Sequence, residues 1–507
     1  MAGERVVVVG AGVGGLVTAA LLASRGFDVT VCEGEGGPGG KLRSRTIDGV
    51  AIDAGPTVFT MRDIFDDVFS ACGESLDDHL DISRADVLAR HAWPDGSRLD
   101  LFADTRASEA AIGDFAGSGA VRGYREFRVE AKRLYNALDA PFLRRAKPNP
   151  LTLGGRMGLR GLPDYLTMRA YTSMWRALGT YFPDPRLRQL FGRYATYCGS
   201  SPFKTPATLM LIAHVEAAGV FVIDGGMHRL AAALAGLAER AGARFRYDTP
   251  VAEILSEHGR AAGVRTETGE VFGADYIVVN ADPAAIGENR FGAAAAQSVG
   301  AMATGARSLS ALVWLARGRV EGMALNTHNV LFSADYRTEF DDLDQGRVPS
   351  RPSIYIHRQA ADAFQIIVNA PPDGDTHHYT PQETERCRLQ MLATLKSCGV
   401  TMELDTHSVL TPNDFEALNR STGGALYGRA SHGWAASFQR QGSRTRMPGL
   451  YCAGGSTHPG AGVPMAALSG RLACEALLSD HASTVRSRRV ATAGGMSTRS
   501  AMTANTG

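Results

Sequence analysis

Residues 6–9 are four valines in a row, entered from Arg5 and left through Gly10. A continuous apolar run with no alternation predicts a strand buried on both faces, as in a parallel sheet. Residues 14–25 follow with Leu16, Ala19, Ala20 and Ala23 on one helical face, and Gly26 ends that helix. A second strand is predicted over 28–32, running into Glu33. The pattern returns near the other end of the chain. A short apolar strand there leads into a glycine-rich loop from Gly454 and a small-residue helix over 465–478. Between these two, Asp95-Gly96 marks a hairpin between alternating segments. A helix over 229–241 carries Leu230, Leu234 and Leu237, with His228 in its first turn as a capping or packing residue. A short strand starts near Val251, a second hairpin turns at Gly269, and Pro283 stops a buried strand over 275–280. The prediction is an α/β fold.

The first turn has chemistry in it. Gly10, Gly12 and Gly15 have G-x-G-x-x-G spacing, with Gly14 as an extra glycine. Gly10 allows the tight turn. Gly12 lacks a Cβ, so a pyrophosphate can approach the backbone, and Gly15 lets the helix pack close to the strand. The helix N-terminus points free N–H groups and a positive dipole end at the phosphates. Glu33 stands 18 residues after Gly15, where ribose hydroxyls are expected. The loop over 34–40 is glycine-rich and ends in Lys41, either a second contact to the pyrophosphate or an exposed loop lysine. The glycine loop before the last helix makes another anion site. Two such sites at opposite ends of the chain imply one extended cofactor gripped by both.

The 507 residues suffice for two or three domains. With 53 basic and 52 acidic residues, no nucleic-acid footprint is expected. Seven scattered cysteines lack a C-x-x-C pair and metal-ligand spacing, which predicts a reducing compartment and no metal site. No signal peptide and no membrane span are expected. The nearest apolar stretch, 208–223, contains His214 and Glu216. Residues 481–507 are rich in Ser, Thr, Arg, Ala and Gly and are expected to be disordered. Residues 122–176 hold twelve Lys or Arg against four acids, interleaved with Phe127, Tyr135, Phe142, Tyr165, Tyr171 and Trp175. That mixture suits a helical surface resting on anionic lipid, or else a solvated helical face.

Four stretches together resemble the phytoene desaturase-like carotenoid desaturases, flavoproteins related in fold to amine oxidases. They are Val8-Gly10-Ala-Gly12-Val-Gly14-Gly15, Pro38-Gly39-Gly40-Lys41, Asp53-Ala-Gly55-Pro56-Thr57 and the stretch from Gly454 to Pro464. Family members often carry arginine where this chain has Lys41. Gly40-Lys41, residues 87–91 with Trp93-Pro-Asp-Gly, and residues 194–202 further resemble the hydroxyneurosporene and methoxyneurosporene desaturases.

The resemblance implies FAD, not NAD. It implies that Gly10, Gly12, Gly14 and Gly15 hold the pyrophosphate and Glu33 the adenosine ribose, with Val251 near the adenine. Gly40 and Lys41 approach the phosphates, and Gly55 and Pro56 join the cofactor site. Gly454, Gly455 and the helix start Val463-Pro464-Met465 face the ribityl chain and flavin. The implied architecture is a discontinuous Rossmann-like FAD-binding domain (1–105, 225–290 and 415–480). An α+β substrate domain with a helical, membrane-facing cap (106–224 and 291–414) completes it. The implied reaction removes two hydrogens from a polyene, a hydride to flavin and a proton from the neighbouring carbon. The branch resemblance makes it a 3,4-desaturation of an acyclic carotenoid with a hydroxyl or methoxyl at C1. No acid–base pair stands out, and an allylic cation needs none beyond the flavin or a bound water. The implied setting is cytoplasmic, peripheral to the inner face of a membrane, with lipid as a partner and oxygen or a quinone as electron acceptor. Phytoene desaturation, an amine oxidase-type reaction and a non-catalytic flavoprotein or carotenoid carrier remain as alternatives.

Overall fold

The computed structural model describes residues 3–493, the side chains of 159–167 and 485–493 excepted. Arg5–Val9 is the central strand of a five-stranded parallel sheet. Asp28–Cys32 and Tyr276–Val279 flank it, with Arg244–Arg246 and Leu450–Cys452 at the edges. Val6 and Val8 face a core shared with the helices Val13–Ala23, His228–Arg240 and Val463–Ala493. Val7 and Val9 face a second core under the antiparallel strands Val251–Glu257, Arg260–Thr266 and Val271–Gly273. This two-sided burial is why the run shows no alternation; each valine contributes roughly 1.5–3 kcal/mol. The sheet draws its strands from the start, middle and end of the chain.

Val13–Ala23 is buried along its whole length. It crosses the last helix where Thr18 Oγ1 donates to the carbonyls of Gly14 and Gly470. A Cβ on Gly470 would lie 2.3 Å from the Gly14 carbonyl oxygen, so the two helices meet there backbone to backbone. The last helix runs to Ala493, so residues 481–493, expected to be disordered, continue it. The sequence has no glycine or proline from Arg471 to Ala493 to stop a helix, and His481 anchors it beside Phe27 and Glu4. Residues 494–507 lie outside the described residues.

The second sheet has seven strands. Their order is Val400–Leu410, Ser310–Gly322, Ala363–Ala370, Ile354–Ala360, His328–Leu331, Val87–Ala92 and Arg98–Phe102. All its pairs are antiparallel except His328–Leu331 with Val87–Ala92. The Asp95-Gly96 hairpin therefore belongs to this sheet, where the sequence reading had placed it with the N-terminal segment 1–105. Parallel pairing with a strand some 240 residues away carries no local signal. One face of the sheet packs on the helix Pro381–Ser397. The other faces a cavity roofed by the helices Thr105–Leu138, Pro150–Thr167 and Leu211–Ala218.

Candidate active site

The first strand delivers Gly10 at φ +97°, a conformation glycine adopts without strain. Gly12 is the N-cap of the first helix and supplies no side chain to its N–H groups. A Cβ on Gly12 would lie 2.5 Å from Asn280 Nδ2, one on Gly14 would lie 2.7 Å from the Gly454 nitrogen, and one on Gly15 would lie 2.1 Å from the Gly10 carbonyl oxygen. The two glycine loops predicted to share a ligand are thus in contact. Asn280, at the end of the neighbouring strand, lies between them. Among the described residues its buried Oδ1 has no partner, and neither has Asp282 Oδ2 two residues on. Glu33 is buried, accepting from the backbone N–H of Ala11 at 2.5 Å and of Glu35 at 3.0 Å. Val251 is half-buried, two residues beyond the Thr249 N–H that donates to the Glu33 carbonyl at 2.7 Å. A backbone cradle that side chains would fill, open helix N–H groups and orphaned buried acceptors fit an extended dinucleotide such as FAD.

The Gly39–Gly40 turn ties the second loop to the cradle. Gly39 N–H donates to the Ala11 carbonyl at 2.9 Å, and a Cβ on Gly40 would meet Gly12 Cα at 3.2 Å. Lys41 leads away from the cradle. Its Nζ donates to the Leu426 carbonyl at 2.7 Å, on the cavity wall. Gly55 is pressed onto the Lys41 carbonyl, where a Cβ would lie at 1.8 Å. Asp53 caps the helix His228–Arg240 through the N–H groups of Met227 and His228 and holds His228 Nδ1 at 2.8 Å. His228 is a packing residue at a capped helix start, as the sequence suggested.

The cavity measures about 610 Å³. Gly55, Pro56, Lys41 and the helix start Val463-Pro464-Met465 line one part of it. Apolar side chains from the cap and the large sheet, among them Leu143, Ile212, Val330, Phe332 and Ile367, line the rest. Tyr171 and Trp434 also line it while exposed to solvent, their rings 5.5 Å apart, so this pair marks a mouth.

Among the polar groups on the wall, three sites stand where the helical roof meets the large sheet. Arg193 and Glu216 form a fully buried ion pair at 3.0 Å, with His91, Tyr194 and Tyr197 completing its hydrogen bonds. Such a pair is stable only with this degree of satisfaction. Tyr355 Oη lies between Thr57 Oγ1 at 2.7 Å and His328 Nδ1 at 2.8 Å. Burial holds the His328 pKa well below the usual imidazole value, and pushes His357, stacked on it, down to about 4. Glu339 accepts from the Ser353 backbone N–H at 3.0 Å and from Asn369 Nδ2 at 3.1 Å. Among the described residues no cation pairs with it, and burial pushes its pKa up to about 7.

The structure brings the predicted Gly10, Gly12, Gly14, Gly15, Glu33, Gly40, Gly454 and Gly455 to one cradle, and Lys41, Gly55, Pro56, Val463, Pro464 and Met465 to the adjoining cavity, with Val251 in neither. Sequence reading missed Asn280 and Asp282, although a polar residue at the end of a strand beside the first was a usable signal. Arg193, Glu216, Tyr355, His328 and Glu339 gave none, because only the packing of cap on sheet brings them together.

Comparison with known proteins gives three findings. A family model described as flavin containing amine oxidoreductase matches residues 13–478. Hydroxyneurosporene desaturase of Rubrivivax gelatinosus is 47% identical over 99% of this chain and 98% of its own, and that of Cereibacter sphaeroides is 43% identical over 95% and 99%. Among solved structures, an oxidoreductase from Methanosarcina mazei superimposes with a TM-score of 0.58 at 17% identity, covering 93% of this chain and all of that one.

Proposed function

The chain belongs to the flavin-containing amine oxidoreductase family, among its carotenoid desaturases, with FAD as cofactor; we propose that it introduces the 3,4 double bond into acyclic carotenoids carrying a hydroxyl or methoxyl at C1. The observation that carries this reading is the apolar cavity running from the Tyr171–Trp434 mouth to the Pro56 and Val463–Met465 wall. A long hydrocarbon enters such a space at little desolvation cost, and the few polar groups along it fix its register.

When bound, FAD supplies the acceptor for a hydride from the polyene. The chain does the remaining work. Its apolar walls exclude water from the allylic cation. Loss of the C4 hydride leaves that cation delocalised along the conjugated system, and the proton then leaves C3 as the C3–C4 double bond forms. Tyr355 Oη accepts this proton and passes its own to the neutral His328 Nδ1; burial makes that ring a weak base, and the strong acidity of the allylic cation drives the transfer. Under anaerobic conditions, 1-hydroxyneurosporene should bleach the flavin absorbance of the holoenzyme. Tyr355→Phe should bind the pigment and bleach the flavin, but form the desaturated product slowly. No bleaching of the wild type by this substrate would count against the reading.

We place the enzyme against a membrane surface. Among the described residues no helix is long and apolar enough to cross one. Support comes from Leu151, Tyr171 and Trp434, large apolar side chains exposed around the mouth and the basic cap. The net charge of the cap is smaller than its sequence suggests. Arg125 is paired with Glu109 and Arg144 with Asp63, both acids from outside residues 122–176.

A further inference from the structure

Two cations stand on the cavity wall with backbone carbonyls as partners. Lys41 Nζ donates to the Leu426 carbonyl at 2.7 Å. Arg440, 4% exposed, donates to the carbonyls of Tyr427 at 2.9 Å and Arg429 at 2.5 Å. Both line the cavity beside Tyr427, across consecutive carbonyls of one loop. Among the described residues no carboxylate lies within ion-pairing distance of either. Asp282 is the acid whose field reaches both; its Oδ1 caps a short helix turn at the Ala284 N–H, and its Oδ2 has no partner among the described residues. The other charges on the wall are accounted for. Arg193 is paired with Glu216, Arg43 is beside Glu35, Arg45 is exposed and Glu339 stands without a cation.

An arginine keeps its charge at any working pH. Burying it without a paired counter-charge is costly, and one distant acid, Asp282, stands against two cations, so the fold holds a positive excess here that something else must offset. The hydrocarbon substrate brings no charge. The flavin ring is neutral when oxidised. On accepting a hydride it would gain negative charge, because the C4–H electron pair would move to the ring while the C3 proton goes elsewhere. We propose that Lys41 and Arg440 hold the flavin more tightly after it accepts the hydride than before, and so raise its midpoint potential. This rests on the FAD assignment and gives Lys41 a role at the ring in addition to, or in place of, the pyrophosphate contact. The N-terminal N–H groups of the helix starting at Val463 add a field of the same sign.

The two roles separate experimentally. The pyrophosphate has the same charge in both redox states, so losing a phosphate contact weakens both equally and leaves the potential unchanged. Losing a ring contact weakens the reduced state more. The test is spectroelectrochemical titration of bound flavin, with FAD affinities, in Lys41→Met and Arg440→Gln, beside the charge-retaining Lys41→Arg and Arg440→Lys. We expect each neutral variant to lose at least tenfold in the reduced-over-oxidised affinity ratio, a fall of ~30 mV for a two-electron couple. The charge-retaining variants should stay near wild type. Should Arg440→Gln not fold, Lys41→Met decides alone. An unchanged potential in the neutral variants, or an equal fall in the charge-retaining ones, overturns the proposal. Wild-type protein that binds no flavin would instead overturn the cofactor assignment.

Discussion

Glu339 shows what a single buried carboxyl does to the molecule. Its folded-state pKa of about 7 lies above the ordinary carboxylate value of 4.5. A raised pKa means the protonated form is the one the fold accommodates. Its stabilising share is therefore full below about pH 4.5 and is lost as pH rises through about 7. At ~1.4 kcal/mol per pKa unit the loss is about 3 kcal/mol. Glu339→Gln keeps the shape without the charge. Thermal unfolding at pH 5 and pH 8 should show the variant gaining on wild type at the higher pH; a constant difference would contradict the assignment. Gly12 makes the complementary case. A valine there drives a branched side chain into Asn280, at the centre of the cradle. Gly12→Val should lose flavin absorbance and keep its far-UV circular dichroism, and retained flavin would show that the cradle is elsewhere. The glycines were legible in the sequence because each serves its own backbone. Glu339 was not, since nothing within Tyr336–Asp344 distinguishes it from Asp341 or Asp342.

At the scale of elements, the periodicities carried far. The unbroken valine run predicted two-sided burial, and the strands Asp28–Cys32 and Tyr276–Val279 fall where their apolar patterns end. What misled was pairing between distant segments. The hairpin Val87–Phe102 looks self-sufficient and joins the far sheet, and the last helix outlasts its apolar stripe because His481 ties it to Phe27 and Glu4. The cap illustrates the same limit, for its cations find acids that the local charge count did not include. The membrane proposal therefore leans on the mouth as much as on charge. Aromatic side chains that present an apolar body at a surface suit a lipid interface. Replacing Tyr171 and Trp434 together by serine should weaken flotation with anionic liposomes. Salt should weaken it in the wild type, because the screening length falls to ~3 Å at 1 M. Unchanged flotation in both experiments would remove the cap from the interface.

As a whole molecule, the protein joins a cofactor cradle, built from both ends of the chain around Asn280, to a greasy cavity whose far walls come from the middle of the chain. Fold and cofactor were legible because glycine spacing is a backbone requirement. The choice of substrate was not legible from residue spacing, because it depends on which polar groups the cap and sheet bring together across the cavity. Glu339, buried on the wall and, among the described residues, without a cation, is such a group. A site that pairs a substrate oxygen rejects an analogue lacking it by up to ~10⁴–10⁵, since its own polar group is then left unpaired. The measurement that tests the account most directly supplies phytoene, neurosporene and 1-hydroxyneurosporene separately to the holoenzyme and follows the absorption maxima of the products. The account predicts one added double bond in 1-hydroxyneurosporene and little reaction with phytoene. Three or four double bonds added to phytoene, with 1-hydroxyneurosporene unchanged, would contradict it and identify a phytoene desaturase.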